Sequence, residues 1–393
     1  MRIFGGSGVV RDAIVPSAST AASDPNAAET LSRQLGPGPF SLIMLFMSPA
    51  ADLERLPADA ARAFAGVPIV GCTTAGEISG AGYDEGTVVA LALPSEFFRV
   101  DTVTIPDLMR LDPPALAAAI VRKRVAMSQQ YPELAHEFAM LLVDGLSQKE
   151  DELTSALAAG LGAMPMLGGS AGDGTRYART FVLDGDRLSR NAAVLALVRT
   201  ECPVRVFNFD HLIPTERRMV VTEADPRRRV VRQINAEPAA REYARLVGKD
   251  PQQLSPFTFA AHPVAVRMGA RHHVRAIRQV MENGDLVFFS AIDEGVVLTI
   301  TEPADMVGQL KRELAGLCMP ERPTAILAFD CILRRLEAEE KQVVGRVSGL
   351  LRRYGVVGFS TYGEQFGPMH VNQTMTGVAI YPPGTVLPEK VPE

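Results

Sequence analysis

Four cysteines in 393 residues are too few, and too scattered, for most cysteine chemistry. Cys72, Cys202, Cys318 and Cys331 form no C-x-x-C pair, which removes zinc and thioredoxin-type readings, and no C-x-x-C-H offers covalent haem attachment. A reduced compartment is the default for such a chain. No apolar run approaches the roughly 20 residues that span a bilayer; the longest compact one, Phe40–Met47, has the length of a strand. Neither sign of charge is in excess. The formal net charge of −5 gives no basis for binding nucleic acid or an anionic membrane. The N-terminus, Met1-Arg2-Ile3-Phe4-Gly5-Gly6, carries no secretory apolar core. These absences predict a soluble, cytoplasmic protein without membrane insertion. A frame for hydrolysis is also missing: neither Cys72 nor Ser360 lies in G-x-S-x-G and no histidine is locally placed as a base, so no enzymatic activity is expected.

What the chain does contain is one short pattern three times. The stretches are Pro68–Glu77, Met166–Asp173 and Val356–Glu364. Gly71, Cys72, Thr73, Thr74, Ala75, Gly76 and Glu77 align without a gap on Gly358, Phe359, Ser360, Thr361, Tyr362, Gly363 and Glu364. The middle copy, with Gly168, Gly169, Ser170, Ala171, Gly172 and Asp173, is one residue shorter. Each opens as an apolar run, read as a buried strand, then becomes a loop of glycine, small hydroxyls and an acid. Glycine admits positive φ and close approach, and hydroxyls can be aimed into a pocket. Equivalent strand ends of this kind predict a ligand-facing surface. Three tight turns with no ligand are the plain alternative.

The rest of the pattern predicts an α/β protein. An irregular lead-in, with one helix near Ala27–Leu35, occupies residues 1–38. Strands at Ser41–Met47, Pro68–Gly71, Thr87–Leu93, Phe98–Ile105 and Phe138–Val143 alternate with helices near Leu53–Ala65 and Pro113–Gln130, the latter with Asp112 as N-cap and proline in first position. Ser147 and Glu150 have capping-box spacing ahead of a helix bearing Leu153, Ala156, Leu157 and Leu161. This alternation argues a largely parallel sheet. From Arg179 the period becomes two, an antiparallel continuation, and Asp225-Pro226 is the expected boundary. Residues 39–224 and 225–385 are thus the expected domains. In the second, Phe257–Ala260 reads as a strand, Asn283-Gly284 as a tight turn, and Ile332–Tyr354 as one long helix.

At Gly71–Glu77 and Gly168–Asp173 the chain resembles the FIST N-terminal domain. At Asp330-Cys331, Gly358–Glu364 and Asn372-Gln373-Thr374 it resembles the FIST C-terminal domain. The resemblance implies a FIST N-terminal α/β domain with a mixed sheet, then a FIST C-terminal α+β domain, in an intracellular sensory protein. A narrower likeness is to the NosP branch, carried by Phe209–Thr215, Val221–Pro226, Ala260–Pro263, Phe329–Glu337 and Met369–Thr374. That branch implies a b-type haem, nitric oxide as gaseous ligand, and regulation of a separate histidine kinase or related signalling protein. A homo-oligomer is left open.

Under that resemblance the iron needs an imidazole in an apolar pocket with an orienting partner on its other nitrogen. His262, between Phe257/Phe259 and Pro263-Val264, ranks first. His211, after Phe207 and Phe209, is the alternative, those rings being suited to flank a porphyrin. Arg267, Arg275 or Arg278 could pair with haem propionates. The competing expectation is a FIST sensor of a small polar ligand such as an amino acid, without haem. There Thr73, Thr74, Ser170, Ser360 and Thr361 would supply hydroxyls, and Glu77, Asp173 and Glu364 would hold an ammonium.

Overall fold

The computed structural model describes residues 14–269 and 271–388. Its organising feature is a unit repeated three times in the same element order. In the first unit a strand Ser17–Ala21, a helix Ala27–Leu35, a strand Phe40–Met47, a helix Leu56–Ala63 and a strand Ile69–Thr73 lead to a small hairpin, Glu77–Ser79 with Gly82–Asp84, and a return strand Thr87–Pro94. The second unit repeats this as Phe98–Ile105, Pro113–Gln130, His136–Val143, Glu150–Leu161, Met166–Ser170, a hairpin Val182–Asp184 with Arg187–Ser189, and Ala193–Thr200. The third runs Val204–Phe209, Met306–Leu317, Ala325–Cys331, two helices Ile332–Glu340 and Val344–Tyr354, then Val356–Thr361, a hairpin Glu364–Phe366 with Met369–Val371, and Met375–Ile380.

In every unit the two central strands pair in parallel, and the return strand pairs antiparallel between the first central strand and the unit's opening strand. The small hairpins are exchanged. The first unit's hairpin joins the third unit's sheet, through Phe359↔Glu77. The third joins the second's, through Glu364↔Gly169. The second joins the first's, through Val182↔Cys72. The result is a cyclic arrangement of three six-stranded sheets. Their inner faces share one core, in which Phe46, Phe329 and Phe359 lie with ring centroids 4.6–6.0 Å apart. The outer faces are covered by each unit's own helices. Burial on both faces is why the central strands read as unbroken apolar runs.

Between the opening strand and first helix of the third unit the chain inserts a separate subdomain, Leu212–Pro303. It has a curved antiparallel sheet, helices Ala239–Val247 and Pro256–Ala261, and its own core around Tyr243, Phe259 and Phe288. Its two crossing strands are joined at the base, where Ala304 N–H donates to the His211 carbonyl at 2.8 Å.

Several expectations change. The lead-in holds the strand Ser17–Ala21 as well as its helix, both integral to the first unit. Asp225-Pro226 is the turn of a hairpin, strand Leu212–Asp225 pairing with Val230–Ile234, and lies well inside the insertion. Phe257–Ala260 is helical: Ser255 and Thr258 form a capping box and Pro256 occupies the first turn, which outweighs the aromatic content. The capping box expected at Ser147 does not form. The helix starts at Glu150, whose carboxylate is instead bound by Arg229 at 2.5 Å. The expected helix Ile332–Tyr354 breaks at Lys341–Val343, where Gln342 has φ 56°.

Candidate ligand cleft at the seam of the loop ring

The three glycine loops meet and hydrogen-bond in a ring. Each second central strand carries a hydroxyl residue at or next to its end: Thr73, Ser170 or Ser360. The amide of each donates to the neighbouring unit: Thr73 to the Phe181 carbonyl (3.0 Å), Ser170 to Gly363 (2.9 Å), Ser360 to Gly76 (2.7 Å). The residue two further on closes the circle, Ala75 donating to Ser360, Tyr362 to Ser170 and Gly172 to Thr73, at 2.9, 3.3 and 2.9 Å. The first glycine of each motif lets the parallel strands approach. A Cβ on Gly71, Gly168 or Gly358 would overlap the backbone carbonyl of Leu45, Leu141 or Ala328 respectively.

The acids divide into two kinds. Thr74 donates to Glu77, and the other Glu77 oxygen accepts from the Thr87 amide and hydroxyl, each at 3.2 Å. Thr361 donates to Glu364 at 2.7 Å, whose second oxygen accepts from the Thr374 amide at 3.2 Å and hydroxyl at 2.8 Å. Both carboxyls thus clamp a loop to the start of its unit's return strand. Burial pushes the Glu77 carboxyl up to about 6 and that of Glu364 up to about 8, against the lowering effect of these hydroxyl donors. Asp173 is held across units: the Tyr362 hydroxyl donates to its carboxylate and accepts from its amide (3.0 Å), while the Ala178 and Arg179 amides donate to its other oxygen at 3.0 and 2.9 Å.

A cleft of about 550 Å³ opens beside the ring. The first two loops supply Thr74, Gly76, Glu77 and Asp173; the helix Ile332–Glu340 supplies Ile332, Arg335, Leu336 and Glu339; the inserted subdomain supplies Pro256 and Phe257. The helix residues recur at i, i+3, i+4 and i+7, one face of that helix. Arg335 is the buried cation of the site. It rests on Gly76, where a Cβ would overlap the guanidinium, and this Gly76 takes φ 129°. Arg335 donates to the Asp84 carbonyl (2.9 Å), Glu85 (2.8 Å) and Glu339 (3.3 Å). Glu85 is 72% exposed, so that pairing is a weak one.

The remaining loop residues stand outside the cleft. Cys72 is in the shared core, its thiol pushed well up by burial. Gly169 packs under Phe359 and Thr361, and Gly172 against Ala75. Gly363 lies against His370 and Asn372. Thr73 accepts from the Phe181 amide, and Ser170 from Gln365. Arg335 was not singled out from sequence, and Phe257 only as an apolar neighbour of His262. Arg335 was legible only as half of an Arg-Arg pair on a helix.

Each residue expected around haem has its own surroundings, and among the described residues no hydrogen bond or ion pair joins any two of His211, His262, Arg267 and Arg275. Both ring nitrogens of His211 are engaged. Arg334 donates to Nδ1 (2.7 Å), leaving Nε2–H to donate to the Glu337 carboxylate (2.9 and 3.0 Å). Desolvation lowers its pKa, so the ring is neutral and neither nitrogen is open to a metal. Phe207 and Phe209 stack on each other at 4.4 Å within the core. His262 caps the helix Pro256–Ala261, half-buried, with an unpartnered Nδ1. Arg267 is exposed and bonds the Gly269 carbonyl; Arg275 reaches the His370 carbonyl at 3.3 Å. As the residues stand, His211 has no nitrogen free for iron. His262 offers a nitrogen, yet its charged neighbours are Lys249, Arg217 and Glu302. The apolar cavity of the shared core holds only about 10 Å³ and is lined by no histidine. Among the described residues no group of three or more His, Cys, Asp or Glu could hold a metal ion, and no helix is long and apolar enough to cross a membrane.

Residues 41–237 match the FIST N domain and residues 239–367 the FIST C domain. The division between them falls within the inserted subdomain, whereas the sheets follow the three units. No curated protein matches the chain, so the narrower likeness to the NosP branch has no named relative behind it.

Proposed function

We propose that this chain, which belongs to the FIST family, senses a small zwitterion such as an amino acid in the cleft at the seam. FIST domains are signal-transduction sensor domains. The observation that carries the reading is that one cleft is walled by the loop ring, by the helix bearing Arg335, and by the inserted subdomain through Phe257. A ligand there touches all three parts at once, and binding their arrangements with different affinity would shift the populations. A ligand carboxylate would replace exposed Glu85 on Arg335, at little cost because that pair is solvated. Glu339 at the rim favours an ammonium, and Phe257 with Leu336 favours an apolar side chain. Glu77, Asp173 and Glu364, once candidates for holding the ammonium, already have their oxygens engaged by the protein. The buried Cys72 and a Ser360 hydroxyl with no base in contact support a sensor rather than an enzyme. The output would pass to a separate signalling protein such as a histidine kinase, in the cytoplasm.

The test is a thermal-shift panel of the twenty amino acids, with hits titrated by calorimetry on wild type and Arg335→Gln. The reading expects a saturable hit that Arg335→Gln weakens about tenfold, the loss of one charge-assisted contact. No hit, or a hit indifferent to Arg335, would sink it. A second reading, the haem-based nitric-oxide sensor, is favoured by one observation, the unpartnered Nδ1 of His262. It requires the helix Pro256–Ala261 to move away from its charged surroundings. It expects a Soret band after haem reconstitution, shifted by nitric oxide and lost in His262→Ala; a colourless reconstituted protein rejects it.

A further inference from the structure

On the inserted subdomain, Arg275, in the connection between strands Arg271–Val274 and Ile277–Val280, and Arg278, on the second of these strands, lie against the core units through His370 and Tyr177. Both are partly buried, and burial lowers the pKa of each. Among the described residues neither has a carboxylate within ion-pair distance. Arg275 reaches only the carbonyls of Val274 (3.4 Å) and His370 (3.3 Å). The Nε of Arg278 is buried with no partner, and its guanidinium lies 5.9 Å from the centroid of the Tyr177 ring. The Tyr177 hydroxyl is likewise buried without a partner. The acids that face the two arginines, Glu150 and Asp151, are both taken by a third arginine, Arg229, at 2.5 and 3.4 Å. Three guanidinium groups thus share these two carboxylates; Asp173, which faces Tyr177 together with the buried Cys331, is already held by the Tyr362 hydroxyl and the Ala178 and Arg179 amides, and Tyr362 and the buried His370, its pKa lowered, add no negative charge. Arginine is seldom buried without a counter-charge.

We infer a second ligand site here, for a small oxyanion of the phosphate or sulfate class, held between Arg275 and Arg278 with the Tyr177 hydroxyl as a further donor. The planar fork of arginine suits an oxyanion, and such bonds are short and charge-assisted. The site uses neither Arg335 nor Phe257, so it stands or falls apart from the cleft. Tyr177 comes from a core unit and the arginines from the insertion, so a bound anion would tie the two together.

The experiment titrates inorganic phosphate into the full-length protein at low ionic strength, where screening is least, by calorimetry and thermal unfolding. Wild type is expected to give a saturable heat and a raised midpoint. Arg275→Gln and Arg278→Gln are each expected to weaken binding about tenfold, while Arg335→Gln and Arg62→Gln, in an exposed helical pair, bind as wild type. Without phosphate, Arg278→Gln should unfold no earlier than wild type, because it removes an uncompensated buried charge. No saturable heat, equal binding by the arginine variants, or an anion-independent loss of stability in Arg278→Gln would overturn the inference.

Discussion

Replacing Tyr362 by phenylalanine removes one oxygen and leaves the ring's packing against Tyr177 (4.7 Å) and Phe289 (6.0 Å) intact. That oxygen makes three contacts: it accepts from the Asp173 amide at 3.0 Å, and it faces the Asp173 carboxylate and the Gly174 carbonyl (2.7 Å) as donor. A hydrogen bond to a charged group contributes about 1.5–3 kcal/mol, and a buried amide left without a partner costs about 1–3 kcal/mol. Asp173 is only 3% exposed, so water does not readily substitute. The expected loss is therefore about 3 kcal/mol, with some relief if the loop opens to solvent. Urea unfolding of wild type and Tyr362→Phe measures it, and hydrogen exchange locates it: the amides of Asp173, Ala178 and Arg179, which depend on the Asp173 clamp, should lose protection first. A change below about 0.5 kcal/mol, within the range of ordinary surface substitutions, would refute the claim that Tyr362 of the third unit builds the second loop.

Other outcomes follow from the same geometry. Gly71→Ala and Gly358→Ala place a methyl on a backbone carbonyl and should each cost about 1–3 kcal/mol in urea unfolding, whereas Gly80→Ala, with nothing within 4 Å, should be neutral. Glu150→Gln strips the nearer partner from Arg229, whose side chain is 5% exposed; a loss of about 3 kcal/mol is expected, together with faster exchange in the strand Val230–Ile234. Glu364 has a folded pKa of about 8 against an unfolded 4.5, so the native state binds the extra proton. Its stabilising contribution is complete below pH 4.5 and disappears as pH rises through 8. The fall in urea midpoint between pH 5 and 8.5 should thus be shallower in Glu364→Gln.

Elements dominated by local signals were legible in the sequence. The helix Pro113–Gln130 appears with its Asp112 cap accepting from the Ala115 amide, and the runs Phe40–Met47 and His136–Val143 are buried central strands. The likeness of the three glycine motifs pointed correctly to equivalent strand ends. It did not reveal that the hairpins are exchanged, because three-residue strands such as Glu77–Ser79 carry no periodicity and find partners some 280 positions away, as Phe359 does. The insertion was hidden because its hairpin turn at Asp225-Pro226 looks like a boundary. Its cleft helix was hidden because Phe257 and Phe259 suggest a strand, although Ser255-Pro256 and Thr258 held the opposite signal. Arg335 could not be recognised as a site residue, since its role depends on Gly76 from another unit. His211 looked available for the same reason: its partners Arg334 and Glu337 lie more than 120 positions further on.

On the proposed function, ligand is read at the seam between the loop ring and the inserted subdomain. Hydrogen exchange of the full-length protein with and without saturating amounts of the best amino-acid hit tests it most directly. Joint protection of Thr74–Glu77, Asp173–Arg176 and the helix Pro256–Ala261 is expected, lost in Arg335→Gln. Protection confined to other segments, or to the core loops while that helix is unchanged, would contradict it.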